Sequence, residues 1–313
     1  MSVGFCGLWA HTSHAQATRG AVAPQEAAAR HFVRTASGDW ETTITRDDGT
    51  EVTYTYVPST KIEPEIVANI ARGPMKAKFV YQYELINRSS AQQQLAVLFI
   101  KPTNPVRVNA LPPNWVNESF PGDRHLILRG PLDGEAPSGV PPGESLGGLV
   151  LEAPVLPGIG KVASRGNTSG AVEVPDGLSS AQYLELVEIS KKSTVDVPAI
   201  LPSIGAGVGE PTLGLGPLLA RIGGNYVSGF FEYEHPHAAA LEKAFRGVYG
   251  TGDELSDPKR QQALNRVLEI SQLPVKYGWH QQMSAALELC MRAVLDGVVP
   301  DNRPVRPEDL GQR

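Results

Sequence analysis

Apolar and polar residues alternate most regularly over residues 76–86, where Phe79, Tyr81, Tyr83 and Leu85 interleave with Lys78, Val80, Gln82 and Glu84. A period of two puts one set on a single strand face, toward a core. Residues 39–57 read as a hairpin: Thr42–Thr45 and Val52–Val57 are rich in Thr, Tyr and Val and flank Asp47-Asp48-Gly49. Asp-Gly between such runs favours a tight turn with φ > 0. Residues 64–71 form another strand candidate. Gln94–Lys101 (QLAVLFIK) is apolar almost throughout, as a central strand would be. Leu126–Leu128, Ser145–Leu151 and Lys161–Ser164 are shorter candidates, separated by Pro- and Gly-containing turns. Short strands with this punctuation predict a mostly β protein: an antiparallel β-sandwich, Ig-like or related, over residues 25–200. Within it, Ala181–Ile189 fits a strand or a helical turn. Residues 198–217 have no clear period, so 201–235 reads as a Gly/Pro-rich connector.

From Pro236 the spacing changes. Ala238–Val248 is Ala-rich and helical. Asp257-Pro258 gives a helix start, with Asp as N-cap and Pro in the first turn. Leu264, Val267 and Leu268 follow at helical spacing until Pro274 and Gly278 interrupt them. In Gln281–Leu295, Leu287, Cys290, Met291 and Val294 share one stripe. The expectation is a small helical C-terminal region, a helical hairpin over 236–298, followed by a disordered tail over 299–313.

Composition adds a constraint. The chain has 313 residues with 32 Gly and 26 Pro, of which 19 Gly and 16 Pro fall in 101–224. The middle of the chain is therefore turn-dense β sequence. A net charge of −5 argues against nucleic acid as a partner. No apolar run approaches the roughly 18–20 residues of a membrane span. Val3–Ala10 is a short apolar patch, and Ala15-Gln16-Ala17 offers small residues at the positions a signal peptidase reads. Residues 1–17 thus read as a signal-peptide remnant and the chain as exported, periplasmic or extracellular. Cys6 lies in that segment. Cys290 then has no disulfide partner and sits on an apolar helix face as an inert thiol.

Several segments carry a family likeness. They are Tyr81-Gln82-Tyr83-Glu84-Leu85-Ile86-Asn87-Arg88-Ser89, Leu111-Pro112-Pro113-Asn114-Trp115, the turn Pro142-Gly143-Glu144-Ser145-Leu146, and Leu156-Pro157-Gly158-Ile159. With Gly278-Trp279 and the helix after it, the chain resembles a loose group of uncharacterised exported bacterial proteins. The resemblance covers about half the chain. It implies a β-sandwich domain followed by a helical C-terminal segment, and export. It implies no activity.

Candidate chemistry is sparse. Gly143-Glu144-Ser145-Leu146-Gly147 matches the G-x-S-x-G elbow that presents a nucleophilic Ser145, with Asp176 or Asp196 and His235 or His280 in the right order for a triad. The elbow needs a strand before it and a helix after it, whereas Pro141-Pro142 precede Ser145 and β-type sequence follows. A turn entering a strand is the better reading. Glu232, Glu234, His235 and His237 (EYEHPH) form the densest set of metal-ligand types, with Glu234, His235 and His237 the candidate ligands. A polar linker entering the helix at Ala238 is the better reading of them. Gly205–Gly209 fails both G-x-G-x-x-G and the P-loop. Trp115 and Phe120 could line a ligand groove, although a Trp beside prolines more often caps a core. Tyr54 and Tyr56 share a strand face as core or as a carbohydrate platform. Asp47, Asp48 and Glu51 lack the spacing of a calcium loop. The sequons at Asn87, Asn117 and Asn167 mark exposed turns. Together these predict no cofactor and no catalytic site. They predict a non-catalytic binding module of the cell envelope with a protein or polysaccharide partner. The alternative is a hydrolase using Ser145 or a metal-dependent enzyme using His235 and His237.

Overall fold

A computed structural model describes residues 31–73, 78–102, 106–119, 125–131, 139–167, 176–190, 194–205, 213–251 and 254–298. The expected signal segment 1–17 with Cys6, the tail 299–313, Phe120 and the glycine run after Gly205 lie outside the described residues.

The strands are β1 (Val33–Arg34), β2 (Trp40–Thr45), β3 (Glu51–Tyr56), β4 (Pro64–Arg72), β5 (Phe79–Asn87), β6 (Leu95–Ile100), β7 (Arg107–Ala110), β8 (Val116–Asn117), β9 (Leu126–Arg129), β10 (Glu144–Ala153), β11 (Leu156–Gly166) and β12 (Val195–Ile204). The helices are α1 (Ser180–Ser190), α2 (Leu215–Glu232), α3 (Ala238–Tyr249), α4 (Pro258–Ser271) and α5 (Gly278–Leu295). Three antiparallel sheets run β1-β2-β3, β4-β5-β10-β7 and β12-β11-β6-β9-β8. Of the described residues, strand accounts for 35% and helix for 32%, so the described structure is sheet-rich but carries far more helix than expected.

The alternation in β5 does what its period dictates. Phe79, Tyr81, Tyr83 and Leu85 are buried, while Gln82 and Glu84 face solvent. The apolar run in β6 sits between β11 and β9, with five of its six residues buried. Tyr81 Oη donates to Val155 O at 2.6 Å and Tyr83 Oη to Ile200 O at 3.0 Å. Each phenol thus brings its own polar tip into the core with a partner. Burial and the neighbouring Tyr83 keep Tyr81 well above the usual phenol range, as burial does Tyr83. Both stay neutral donors.

Helix α1 covers the three-stranded sheet. Leu186 packs with Phe32 and Tyr56, flanked by Trp40, Tyr54, Leu178 and Ile189. Gln182 Nε2 donates to Thr42 Oγ1 and Thr43 O, and the Glu185 carboxylate accepts from His31 N and Phe32 N. This contact turns the ambiguous segment 181–189 into a helix and makes Tyr54 and Tyr56 core residues. Helices are therefore not confined to the C-terminal region.

Two further expectations are corrected. Much of the stretch read as a connector is regular structure: β12 ends in it and α2 lies wholly within it. Pro198 and Pro202 are tolerated because β12 is an edge strand. Among the described residues of 236–298 there are three helices, α3–α5, rather than a two-helix hairpin, and α2 precedes them. Leu218, Ile222, Tyr226 and Phe230 form the buried stripe of α2. Of the glycines within this helix, Gly229 serves its packing on β11 and Gly223 its packing against Phe245 and Tyr249 of α3. A Cβ at Gly229 would lie 2.5 Å from Ile159 Cδ1. Asn225 bridges the same contact, with Oδ1 accepting from Ile159 N at 2.8 Å and Nδ2 donating to Ile159 O at 2.9 Å. A Cβ at Gly158 would meet Ser203 Oγ at 2.3 Å and Ile204 Cγ1 at 2.8 Å. Gly158→Ala is expected to destabilise the protein by about 2 kcal/mol, the usual range for overpacking. The urea midpoint measures this, and an unchanged midpoint would show that the β11–β12–α2 layer yields.

The sequon at Asn87 marks no exposed turn. Asn87 is fully buried. Its Nδ2 donates to Gln93 O at 2.8 Å and Val140 O at 3.0 Å, and its Oδ1 accepts from Glu63 N at 3.1 Å. Asn117 is exposed, and its Oδ1 accepts from Ser119 N.

Candidate functional site

The chemistry-bearing side chains converge where the turn between α2 and α3 meets the loop between α4 and α5. The turn starts at Tyr233, the C-cap of α2, whose N–H bonds Gly229 O and Phe231 O. Glu234 takes a left-handed conformation, φ 53°. This lets His235 N return to Phe230 O at 2.8 Å, while Ala238 N takes His235 O as α3 begins. The loop ends at Tyr277, the N-cap of α5. His280, one turn into α5, donates from Nε2 to Tyr233 O at 2.8 Å. His237 donates from Nε2 to Pro274 O at 3.2 Å. Tyr233 and Trp279 meet edge to face at 5.6 Å, as do Tyr277 and His280 at 5.4 Å.

His235 lies at the centre and is 3% exposed. Its ring stacks on Phe230 with centroids 3.8 Å apart, and His280 and His237 lie 4.9 and 5.5 Å away. Nδ1 accepts from His237 N at 3.2 Å. A neutral imidazole then carries its proton on Nε2 and donates to Ser284 Oγ at 3.1 Å. Burial first, and then the neighbouring His280 and His237, bring the imidazolium pKa down to about 4. The proton on Nε2 also decides the chemistry of the His235–Ser284 pair. A general base needs a lone pair toward the hydroxyl, and here the imidazole holds a hydrogen there. His280 Nδ1 and Trp279 Nε1 are buried beside it without a hydrogen-bond partner among the described residues.

The candidate metal ligands do not converge. Glu234 points to solvent from a turn rather than a strand. Both nitrogens of His235 are engaged, and His237 holds a carbonyl. Among the described residues, no group of three or more His, Cys, Asp or Glu is arranged to hold a metal ion.

The other sequence candidates are dispersed. Ser145 opens strand β10 opposite Ile86, is exposed, and donates to Glu84 Oε1 at 2.7 Å. A strand follows it where the elbow needs a helix. Asp196 is exposed on β12. Asp176 lines a shallow cleft of about 490 Å3 with Ile44, Arg46, Asp47, Asp48 and Gly177. Asp48 there accepts from Thr50 N at 2.9 Å and Thr50 Oγ1 at 2.6 Å, which holds its carboxyl below the usual range. These are the turn's own bonds. Trp115 is 5% exposed and belongs to the main core. Cys290 is buried, donates to Pro157 O at 3.2 Å, and has its thiol pKa pushed up to about 12 by burial. That is the unreactive state expected of it.

Beside the exposed Glu232, Glu234 and Lys276, the corner offers aromatic and apolar surface to solvent. Tyr277 is 71% exposed, Phe231 50% and Leu273 41%. Sequence reasoning named the histidines but missed Tyr277 and Ser284. The available signals were the close aromatic pair Tyr277 and Trp279 and the i, i+4 spacing of His280 and Ser284. Comparison with protein-family models, curated proteins and solved structures found no match.

Proposed function

We propose that this protein is an exported, non-catalytic binding module of the cell envelope. In this reading the two larger sheets form an Ig-like or related sandwich, and the α2–α5 helices present the contact surface to a polysaccharide. One observation carries it: Tyr277 is held by its edge-to-face contact with His280 yet leaves 71% of its surface open. An aromatic ring already fixed by its scaffold loses little freedom on binding and offers an apolar face with a polar tip. The neutral His235–Ser284 pair supports a structural rather than a catalytic role for the polar groups beneath.

Co-sedimentation of the full chain with purified insoluble cell-wall polysaccharide tests the reading. The wild-type chain is expected in the pellet, and Tyr277→Ala is expected to weaken retention roughly tenfold, as truncating an interface anchor does. A wild-type chain that stays in the supernatant, or a Tyr277→Ala chain that pellets equally, overturns it.

A further inference from the structure

One face of the five-stranded sheet brings together two arginines that are 36 positions apart in the sequence. Arg165 of β11 pairs with Val97 of β6, and Val97 pairs with Arg129 of β9. Directly paired residues share a face, so both arginines rise from the same side, two strand spacings or roughly 10 Å apart. Phe99 lies on that face as well, and the Arg165 guanidinium sits over its ring at 5.4 Å. Arg129 is ion-paired to Glu118 through its terminal nitrogen. Its Nε is buried without a hydrogen-bond partner among the described residues.

Charge and hydrogen bonding are both out of balance here. Among the described residues, two half-buried guanidiniums face one carboxylate, which Arg129 already takes. No hydrogen bond reaches the Arg165 guanidinium among the described residues, and its five donors are held only by the stack on Phe99. Partial burial and then the charge of Arg129 hold Arg165 below the usual guanidinium range, with Glu118 and Tyr56 opposing. Two like charges kept together with unused donors are complementary to an anion that bridges them.

We propose that Arg129 and Arg165 form an oxyanion-binding site on this sheet face, taking a carboxylate or a phosphate group of a ligand. The planar fork of Arg165 supplies a bidentate contact, Phe99 fixes its plane, and Arg129 supplies the second charge. Glu118 competes with the anion for Arg129. The site lies apart from the helical corner and does not rest on the reading of Tyr277.

The test is binding of inorganic phosphate and of malonate to the full chain at constant ionic strength, with chloride as the control, read by thermal shift and by calorimetry. The wild-type chain is expected to respond saturably to one or both anions beyond chloride. A response to phosphate alone identifies a phosphoryl ligand, and one to malonate alone a carboxylate. Arg165→Gln is expected to weaken binding at least about tenfold, the usual worth of a charged hydrogen bond. In chloride this variant should melt close to the wild type, because the lost stack on Phe99 is offset by one lost repulsion. Glu118→Gln is expected to tighten binding, which decides the matter even where Arg165→Gln fails to fold. No response beyond chloride, an equal response in Arg165→Gln, or no tightening in Glu118→Gln overturns the proposal.

Discussion

Acidification from pH 7 to pH 4 is expected to remove about 3 kcal/mol of folding stability through His235 alone. The sign follows from its two protonation equilibria. In the unfolded chain the imidazole takes a proton near 6.5, and in the folded protein only near 4. Between those values the unfolded state binds the proton and the folded state does not, so stability falls as pH falls through the window. Above 6.5 both states are neutral and His235 contributes no slope. About 2.5 units at roughly 1.4 kcal/mol each set a ceiling of about 3.5 kcal/mol, of which about 3 is reached at pH 4, where the folded-state imidazole is half protonated. Burial against Phe230 is the first cause, with His280 and His237 opposing a further positive charge. Urea midpoints at several values between pH 7 and pH 4 measure the loss. His235→Gln is the control, since a Gln amide can accept from His237 N and donate to Ser284 while carrying no titration. Carboxylates such as Asp39, held low by Lys61, contribute acid sensitivity to both proteins and cancel in the difference. Parallel pH curves for the two proteins would falsify this account of His235.

Replacing Asn87 should be more damaging. Asn87→Ala is expected to cost about 4 kcal/mol, because one buried side chain satisfies the amide of Glu63 and the carbonyls of Gln93 and Val140. The Glu63 amide and the Gln93 carbonyl lose Asn87 as their partner, at roughly 1–3 kcal/mol for each group orphaned, while Val140 O keeps the Leu95 amide. Those three bonds tie the end of β5 to the segment before β4, the segment before β6 and the bridge at Val140. The loss should therefore appear as a fall in the global unfolding midpoint rather than as local fraying. Asn87→Asp is expected to give no rescue, since a carboxylate cannot donate to Gln93 O or Val140 O. A denaturation midpoint within about 1 kcal/mol of wild type for Asn87→Ala would show that the joint repacks or admits water.

The same residue shows where local reading reaches its limit. Asn87-Arg88-Ser89 has the composition of a polar turn, and the turn exists, but the first of its residues is pulled inward by partners at positions 63, 93 and 140. Helix α2 makes the same point. Leu218, Ile222, Tyr226 and Phe230 carry a helical period, yet they lie in the stretch that reads as a Gly/Pro-rich connector. The reason for Gly229 is Ile159 across the helix–sheet contact, which no window of neighbouring residues contains. In the candidate site, His235 and His237 stood out as a cluster of ligand types. Only the fold shows that their nitrogens are taken by a backbone amide, a serine and a carbonyl. Arg129 and Arg165 gave no signal, since nothing near either one in sequence mentions the other.

What local sequence determined is the set of elements whose cause lies within a few residues. The β2–β3 hairpin around Asp48-Gly49, where Gly49 has φ 82°, belongs to this set. So do the inward aromatics of β5, the apolar central strand β6, and the start of α4 at Asp257, whose side chain accepts from Lys259 N. Period, turn chemistry and capping act over two to four residues, so they can be read along the chain. The tertiary structure alone decided the identity of α1, the continuity of α2 and β11 through their glycines, the burial of Asn87, the neutrality of His235 and the meeting of two arginines. Each of these depends on a neighbour distant in sequence. Close approach, desolvation and like-charge proximity are set by distance in space, and that distance exists only once the sheets and helices have packed.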